Sequence, residues 1–145
     1  MSEIMLRIKG TQIQGDEEDV IDFSTLGNYE RRGTAVVLTY TETDEDTDVT
    51  TEVCVDGGVI TMQKSGSLET QMVFEEQKTY TAEYITPFGN IDVMIYPTMV
   101  NASVGDDNGK IELEYIMTIA GSEVLSRINM QYSKGKTGKG VYYES

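Results

Sequence analysis

The sequence has no histidine and no tryptophan, a single cysteine and only two prolines among 145 residues. Each scarcity excludes something. Without histidine there is no Ser-His-Asp or Cys-His catalytic arrangement and no imidazole to ligate a metal. With Cys54 alone, no disulfide can form within the chain, which points to a reducing compartment. Long apolar runs are also missing. No stretch approaches the roughly 18 residues of a spanning helix. The opening Met1-Ser2-Glu3-Ile4-Met5-Leu6-Arg7 lacks the apolar centre of a secretion signal. The expectation is a cytoplasmic protein.

Positive charge is scarce. Lys and Arg number 11 against 25 Asp and Glu, a net charge of −14. Phosphate neutralisation supplies most non-specific nucleic-acid affinity, so this field argues against nucleic acid and anionic membranes as partners. The excess is uneven: nine acids lie in Asp16-Glu17-Glu18-Asp19 and in the segment from Glu42 to Asp48. Acidic loops of this kind keep a protein soluble and guard sheet edges against pairing. Hydrophobic residues make up 39%, and a chain of this length buries about two-thirds of its unfolded surface. One domain is expected, over residues 1–132, with the Gly/Lys-rich stretch 133–145 as a loose tail.

What is present is alternation. Ile4, Leu6 and Ile8 alternate with Met5, Arg7 and Lys9. Val36, Leu38 and Tyr40, then Thr51, Val53 and Val55, repeat the pattern. Ile111 to Ile119 and Val124 to Tyr132 extend it over whole segments. Period two buries one face of an antiparallel sheet and wets the other. Turn residues punctuate these runs, as in Asp56-Gly57-Gly58, Asp107-Asn108-Gly109 and Ala120-Gly121-Ser122. The spacing predicts ten or eleven strands, with separate short ones over 19–24 and 28–32. No stretch carries a helical stripe. Short connections force sequential antiparallel pairing, and closure removes the exposed edges. The predicted fold is all-β: an antiparallel up-and-down meander of about ten strands closed into a barrel, with a two-sheet sandwich as the second choice. Pro97 cannot donate to a ladder and predicts a bulge in a long strand.

Three segments carry a family resemblance. They are Lys64-Ser65-Gly66-Ser67-Leu68-Glu69-Thr70-Gln71-Met72-Val73-Phe74-Glu75, then Tyr84-Ile85-Thr86-Pro87-Phe88-Gly89-Asn90-Ile91, and the opening Ile8-Lys9-Gly10-Thr11-Gln12. The closing hairpin through Leu113, Tyr115, Gly121 and Ser122 fits as well. Together they resemble an uncharacterised bacterial family typified by YwiB, over most of residues 4–132. The resemblance implies a calycin-like barrel, related in shape to lipocalins and fatty-acid-binding proteins. It implies no activity, because the family has no catalytic residues to transfer.

Apparent motifs fail on their context. Gly135-Lys136-Thr137 imitates the end of a phosphate loop, but the glycine required five residues earlier is Met130. Asp44, Asp46 and Asp48 begin like a Ca²⁺ loop, but its sixth and twelfth positions are Val49 and Val55. Cys54 sits between Glu52 and Asp56, which oppose a thiolate. Ser65 and Ser67 have no Gly-x-Ser-x-Gly frame and no base. No pair among the 25 acids stands out for acid–base work. No catalytic residue, metal or cofactor is expected, and the chain reads as a non-enzyme.

Eight methionines and nine tyrosines against three phenylalanines are the unusual content. Met62, Met72, Met117 and Met130 fall in predicted strands, as do Tyr84, Tyr96 and Tyr115. Thioethers are adaptable filler, and phenols join an apolar ring to a polar tip. The first functional reading is therefore a binding barrel for a small apolar or amphipathic ligand. Lys64 would meet the ligand's polar end, with Gln71, Tyr84, Tyr96 and Tyr115 as polar partners. The second is a structural or interaction module forming a homo-oligomer, since Ile116 beside Tyr115 gives one strand apolar residues on both faces. The third and weakest is an enzyme built from carboxylates, Tyr and Lys.

Overall fold

In the computed structural model, residues 2–134 are described, and the alternation resolves into ten strands. They are β1 (Ser2–Gln14), β2 (Glu17–Arg32), β3 (Ala35–Thr43), β4 (Asp48–Asp56) and β5 (Val59–Gly66), followed by β6 (Thr70–Phe74), β7 (Tyr80–Thr86), β8 (Gly89–Val104), β9 (Asn108–Ile119) and β10 (Ser122–Lys134). Every ladder is antiparallel, and β1 pairs with both β2 and β10. The sheet order is β6-β5-β4-β3-β2-β1-β10-β9-β8-β7. Its two edges, β6 and β7, are consecutive in the chain. They meet at one residue pair, where the Glu69 and Ile85 amides each donate to the other's carbonyl at 3.0 and 2.8 Å. The result is a nearly closed up-and-down barrel rather than a sandwich.

The inner face holds the core. Ile4, Leu6, Leu38, Val53, Phe74 and Ile95 have no solvent exposure. Each buried side chain of this size contributes about 1.5–3 kcal/mol through removal from water. Phe74 and Tyr115 meet edge to face across the interior, with ring centroids 4.9 Å apart. One end of the barrel is sealed by Tyr29 and Tyr132. The Tyr29 hydroxyl donates to Asp106 (2.7 Å) and the Tyr132 hydroxyl to the Gly105 carbonyl (2.6 Å). Val37 points outward, yet it is only 2% exposed. Arg32 bridges Glu30 and Glu52 on the strands either side of it, at 3.1 and 3.0 Å, so its stem roofs β3 there.

Three details differ from or sharpen the sequence expectation. The two short strands over 19–24 and 28–32 are a single strand, β2. Up to Gly27 it pairs with β1 alone, and from Asn28 it also pairs with β3. At the changeover a Cβ on Gly27 would stand 2.6 Å from both Leu6 Cδ1 and the Thr39 carbonyl oxygen. Glycine at this position lets the neighbouring backbone close in instead of breaking the strand.

The register shift in β8 falls between Pro97 and Met99, as the proline predicts. The turn after β6 docks there: the Gln77 amide donates to the Pro97 carbonyl (2.9 Å), and the Glu76 carboxylate accepts from the Val100 amide (3.1 Å). Finally, β10 runs past 132 to Lys134, with Ser133 and Lys134 opposite Met5 and Ile4. The rest of the expected tail, with Gly135-Lys136-Thr137, lies outside the described residues.

A candidate ligand cavity inside the barrel

The turns that follow β1, β3, β5, β7 and β9 gather at the end of the barrel away from Tyr29 and Tyr132. Both acidic segments lie at this end. Here β2 and β3 have parted, because their ladder spans only Asn28–Arg32 and Ala35–Thr39. Asp19, Ile21 and Phe23 of β2 and Tyr40 and Glu42 of β3 line the opening left between them. Ile21 is 58% exposed there although it shares the inward parity of Phe23. A cavity of about 280 Å³ leads inward, equal to the liquid volume of about nine waters. Thioethers dominate its depth: Met62, Met72, Met117 and Met130.

Strand parity delivers the polar groups. On β5, Ile60, Met62 and Lys64 share the inward face, and on β4 so do Thr51, Val53 and Val55. Thr51 and Lys64 are register partners, and the Lys64 Nζ donates to the Thr51 Oγ1 at 3.1 Å. Burial pushes the Lys64 amine below the usual lysine range, while the nearby Glu42 carboxylate pulls it back up. Tyr84 donates its hydroxyl to the Met72 Sδ at 3.2 Å. Burial raises the Tyr84 phenol, and it raises the Tyr115 phenol further, with Tyr84 adding to the effect. The Tyr40 phenol is pushed up to about 12, again chiefly by burial. Two hydroxyls are buried: Thr70 Oγ1, opposite Lys64 on β6, has no hydrogen-bond partner, and Ser126 Oγ, on the cavity wall, lies against the hydroxyl of its register partner Tyr115. An unpaired buried hydroxyl such as that of Thr70 is uncommon and expensive.

The structure brings together three of the five candidate residues: Lys64, Tyr84 and Tyr115 all line the cavity. The other two need correction. Gln71 lies on the outward parity of β6, opposite Gln63, because Thr70, Met72 and Phe74 take the inward positions. It lines an outer groove of about 400 Å³ along the β6–β7 seam, which it shares with Lys64 and Thr70. Tyr96 is likewise outward on β8, opposite Ile116, because Val93 and Ile95 face in. Arg7 and Arg127 point outward, paired with Asp22 (3.0 Å) and Glu114 (2.8 Å).

Sequence reasoning did not single out Thr51, Ser126 or Glu42. A polar residue on an otherwise apolar parity was the available signal for the first two. Among the described residues no cluster of three Asp, Glu or Cys could hold a metal. Asp44 instead closes a tight tip, its amide donating to the Thr47 carbonyl (2.8 Å). The Cys54 thiol is raised by burial and by Asp56 and Glu52, so it is held in the unreactive form. The described residues contain no helix long and apolar enough to cross a membrane.

Comparison with known proteins gives one consistent result. The profile of the family described as "Domain of unknown function (DUF1934)" matches residues 6–132. The chain is similar to the "Uncharacterized beta-barrel protein YwiB" of Bacillus subtilis (strain 168), with 25% identity over 133 residues, covering 91% of this chain and 94% of the relative. The crystal structure of the ywiB protein from Bacillus subtilis superimposes with a TM-score of 0.86 at 24% identity, covering 92% of each chain.

Proposed function

The chain belongs to the DUF1934 family, and we propose that it is a non-catalytic cavity protein that holds a small amphipathic molecule inside its barrel. The carrying observation is an apolar, thioether-lined cavity that holds the Lys64 amine on β5 and, across the barrel on β10, the buried Ser126 hydroxyl. Packed interiors leave few voids larger than a water. Sites for small molecules combine apolar walls with a few placed polar groups. In this reading the ligand's body lies against Met62, Met72, Met117 and Met130, and its polar end meets Lys64. Tyr84 and Tyr115 supply hydroxyls between the two. The unpaired Cys54 fits a reducing, cytoplasmic setting.

Two measurements test this. Mass spectrometry under non-denaturing conditions should find a small molecule carried through purification, and octanol should displace it and raise the melting temperature. Protein that carries nothing and does not respond to straight-chain alcohols overturns the reading.

A second reading, self-association, has its own observation. Tyr96, Ile116, Leu125 and Ile13 are register neighbours on the outer face of β8, β9, β10 and β1. This uncharged row would let two copies of a strongly acidic chain approach. Light scattering should then show a dimer that Ile116→Lys dissociates. A strict monomer at high concentration removes the idea.

A further inference from the structure

Among the residues lining the cavity, Lys64 is the one amine; the other cation, Arg127, reaches the rim from the outer face and is already paired with Glu114. An amine in an apolar pocket has two uses: as an ammonium it pairs with an anionic head group, and as a free amine it is a nucleophile toward carbonyl carbon. The surroundings favour the second. Asp19 and Glu42 line the opening, and the chain carries −14 overall, so a carboxylate or phosphate is repelled at the mouth. Within, burial disfavours the ammonium, and the Glu42 charge offsets this only in part. A neutral head group meets neither obstacle.

We propose that Lys64 captures an uncharged, amphipathic aliphatic aldehyde as an imine within the cavity. This rests on the cavity reading above and names the ligand class. The Lys64 nitrogen lone pair attacks the carbonyl carbon, and the C=O π pair moves to oxygen. A proton passes from nitrogen to that oxygen, giving a carbinolamine. The C=N bond then forms as hydroxide leaves and combines with the remaining nitrogen proton, so one water is released and nothing is oxidised or reduced. Hydrolysis runs the same steps backwards and frees the aldehyde. Thr51 Oγ1, 3.1 Å from Nζ, fixes the amine. The unpartnered Thr70 hydroxyl, register partner of Lys64 on its other side, is the group placed to bind the carbinolamine oxygen. The alkyl chain lies along the methionines.

The experiment incubates the full chain with octanal and cyanoborohydride, then maps the reduced adducts by peptide mass spectrometry. Octanol and octanoate serve as non-reacting probes, read by melting temperature. Trapping at Lys64 should run at least tenfold faster than at exposed lysines such as Lys9 or Lys110. It should vanish in Lys64→Arg, which keeps the charge, and in Lys64→Met. Octanol should bind at least tenfold more tightly than octanoate. If octanol binds but the adducts scatter evenly over the lysines, or octanoate binds tightest, the imine proposal fails and the cavity reading stands. If neither octanol nor octanal acts on the protein, both fail.

Discussion

Lys64 and Thr51 face each other in register across β5 and β4, and a single 3.1 Å hydrogen bond from Nζ to Oγ1 joins them. An amine at this position is a burden on the fold. Its folded-state pKa is lowered, so the unfolded chain binds that proton more tightly, and stability contributed by this group rises with pH toward the unfolded value of about 10.4. Lys64→Met should therefore be more stable than the parent at neutral pH, by about 1 kcal/mol, a gain of about 2–4 °C in melting temperature. The gain should shrink as pH rises toward 10. A variant that melts lower at pH 7 would show that the amine supports the wall.

The tyrosines act in the opposite sense at higher pH. Burial raises Tyr84 and Tyr115, and takes Tyr40 and Tyr132 to about 12. A group whose folded pKa lies above its unfolded value gives stability that is fully present below the unfolded pKa, about 10 for a phenol, and is lost as pH rises through the folded one. Denaturant midpoints should hold up to about pH 9.5 and fall steeply between about 10 and 12. Tyrosine absorbance should report ionisation and unfolding together. Ionisation of Tyr40, Tyr84, Tyr115 and Tyr132 near pH 10 with the fold intact would contradict the burial described above.

Gly27 is where backbone closeness outweighs everything else in its strand. Gly27→Ala places a methyl 2.6 Å from Leu6 Cδ1 and from the Thr39 carbonyl oxygen, and the second is backbone that cannot swing away. The expected loss is about 2–3 kcal/mol by urea denaturation. Gly58→Ala, with nothing within 4 Å of the new carbon, should cost no more than about 0.5 kcal/mol. Equal losses at the two sites would mean that crowding at Gly27 is not the cause.

Phe74 anchors the short strand β6 and stacks edge-on against Tyr115. Phe74→Ala should cost about 3–5 kcal/mol and enlarge the interior beneath Tyr115. Because the new space is apolar, longer alcohols should bind this variant relatively better than the parent. A loss under 1 kcal/mol would show that β6 contributes little to the fold.

Most of the fold was legible because alternation is a direct record of which side of a sheet each residue takes. Nine segments kept their places as strands, and Pro97 marked its bulge for a reason visible in the residue itself. The fusion of 19–24 with 28–32 was not legible. Gly27 reads as punctuation until the approach of Leu6 and Thr39 is known, and that approach is a long-range fact. The cavity was half legible. Lys64 and Tyr115 already shared parity with Met62 and Leu113, so their inward direction followed. Gln71 and Tyr96 were chosen by chemistry, against a parity that Met72 and Ile95 had already settled. Thr51 and Ser126 were hidden because a hydroxyl in a strand is ordinary until its burial is seen.

The lone Glu69–Ile85 pair has a mechanical consequence for the whole cylinder. Elsewhere a dozen residues can hold two neighbours together, whereas here one exchange of amides fastens the wall. Breathing should start at this stitch, with the Glu69 and Ile85 amides trading hydrogen for deuterium long before those of β1. Lys64 stands near it and lines both the interior cavity and the outer groove, while Thr70 borders the groove. The barrel is thus built less like a sealed can than like a sleeve with one lightly stitched seam.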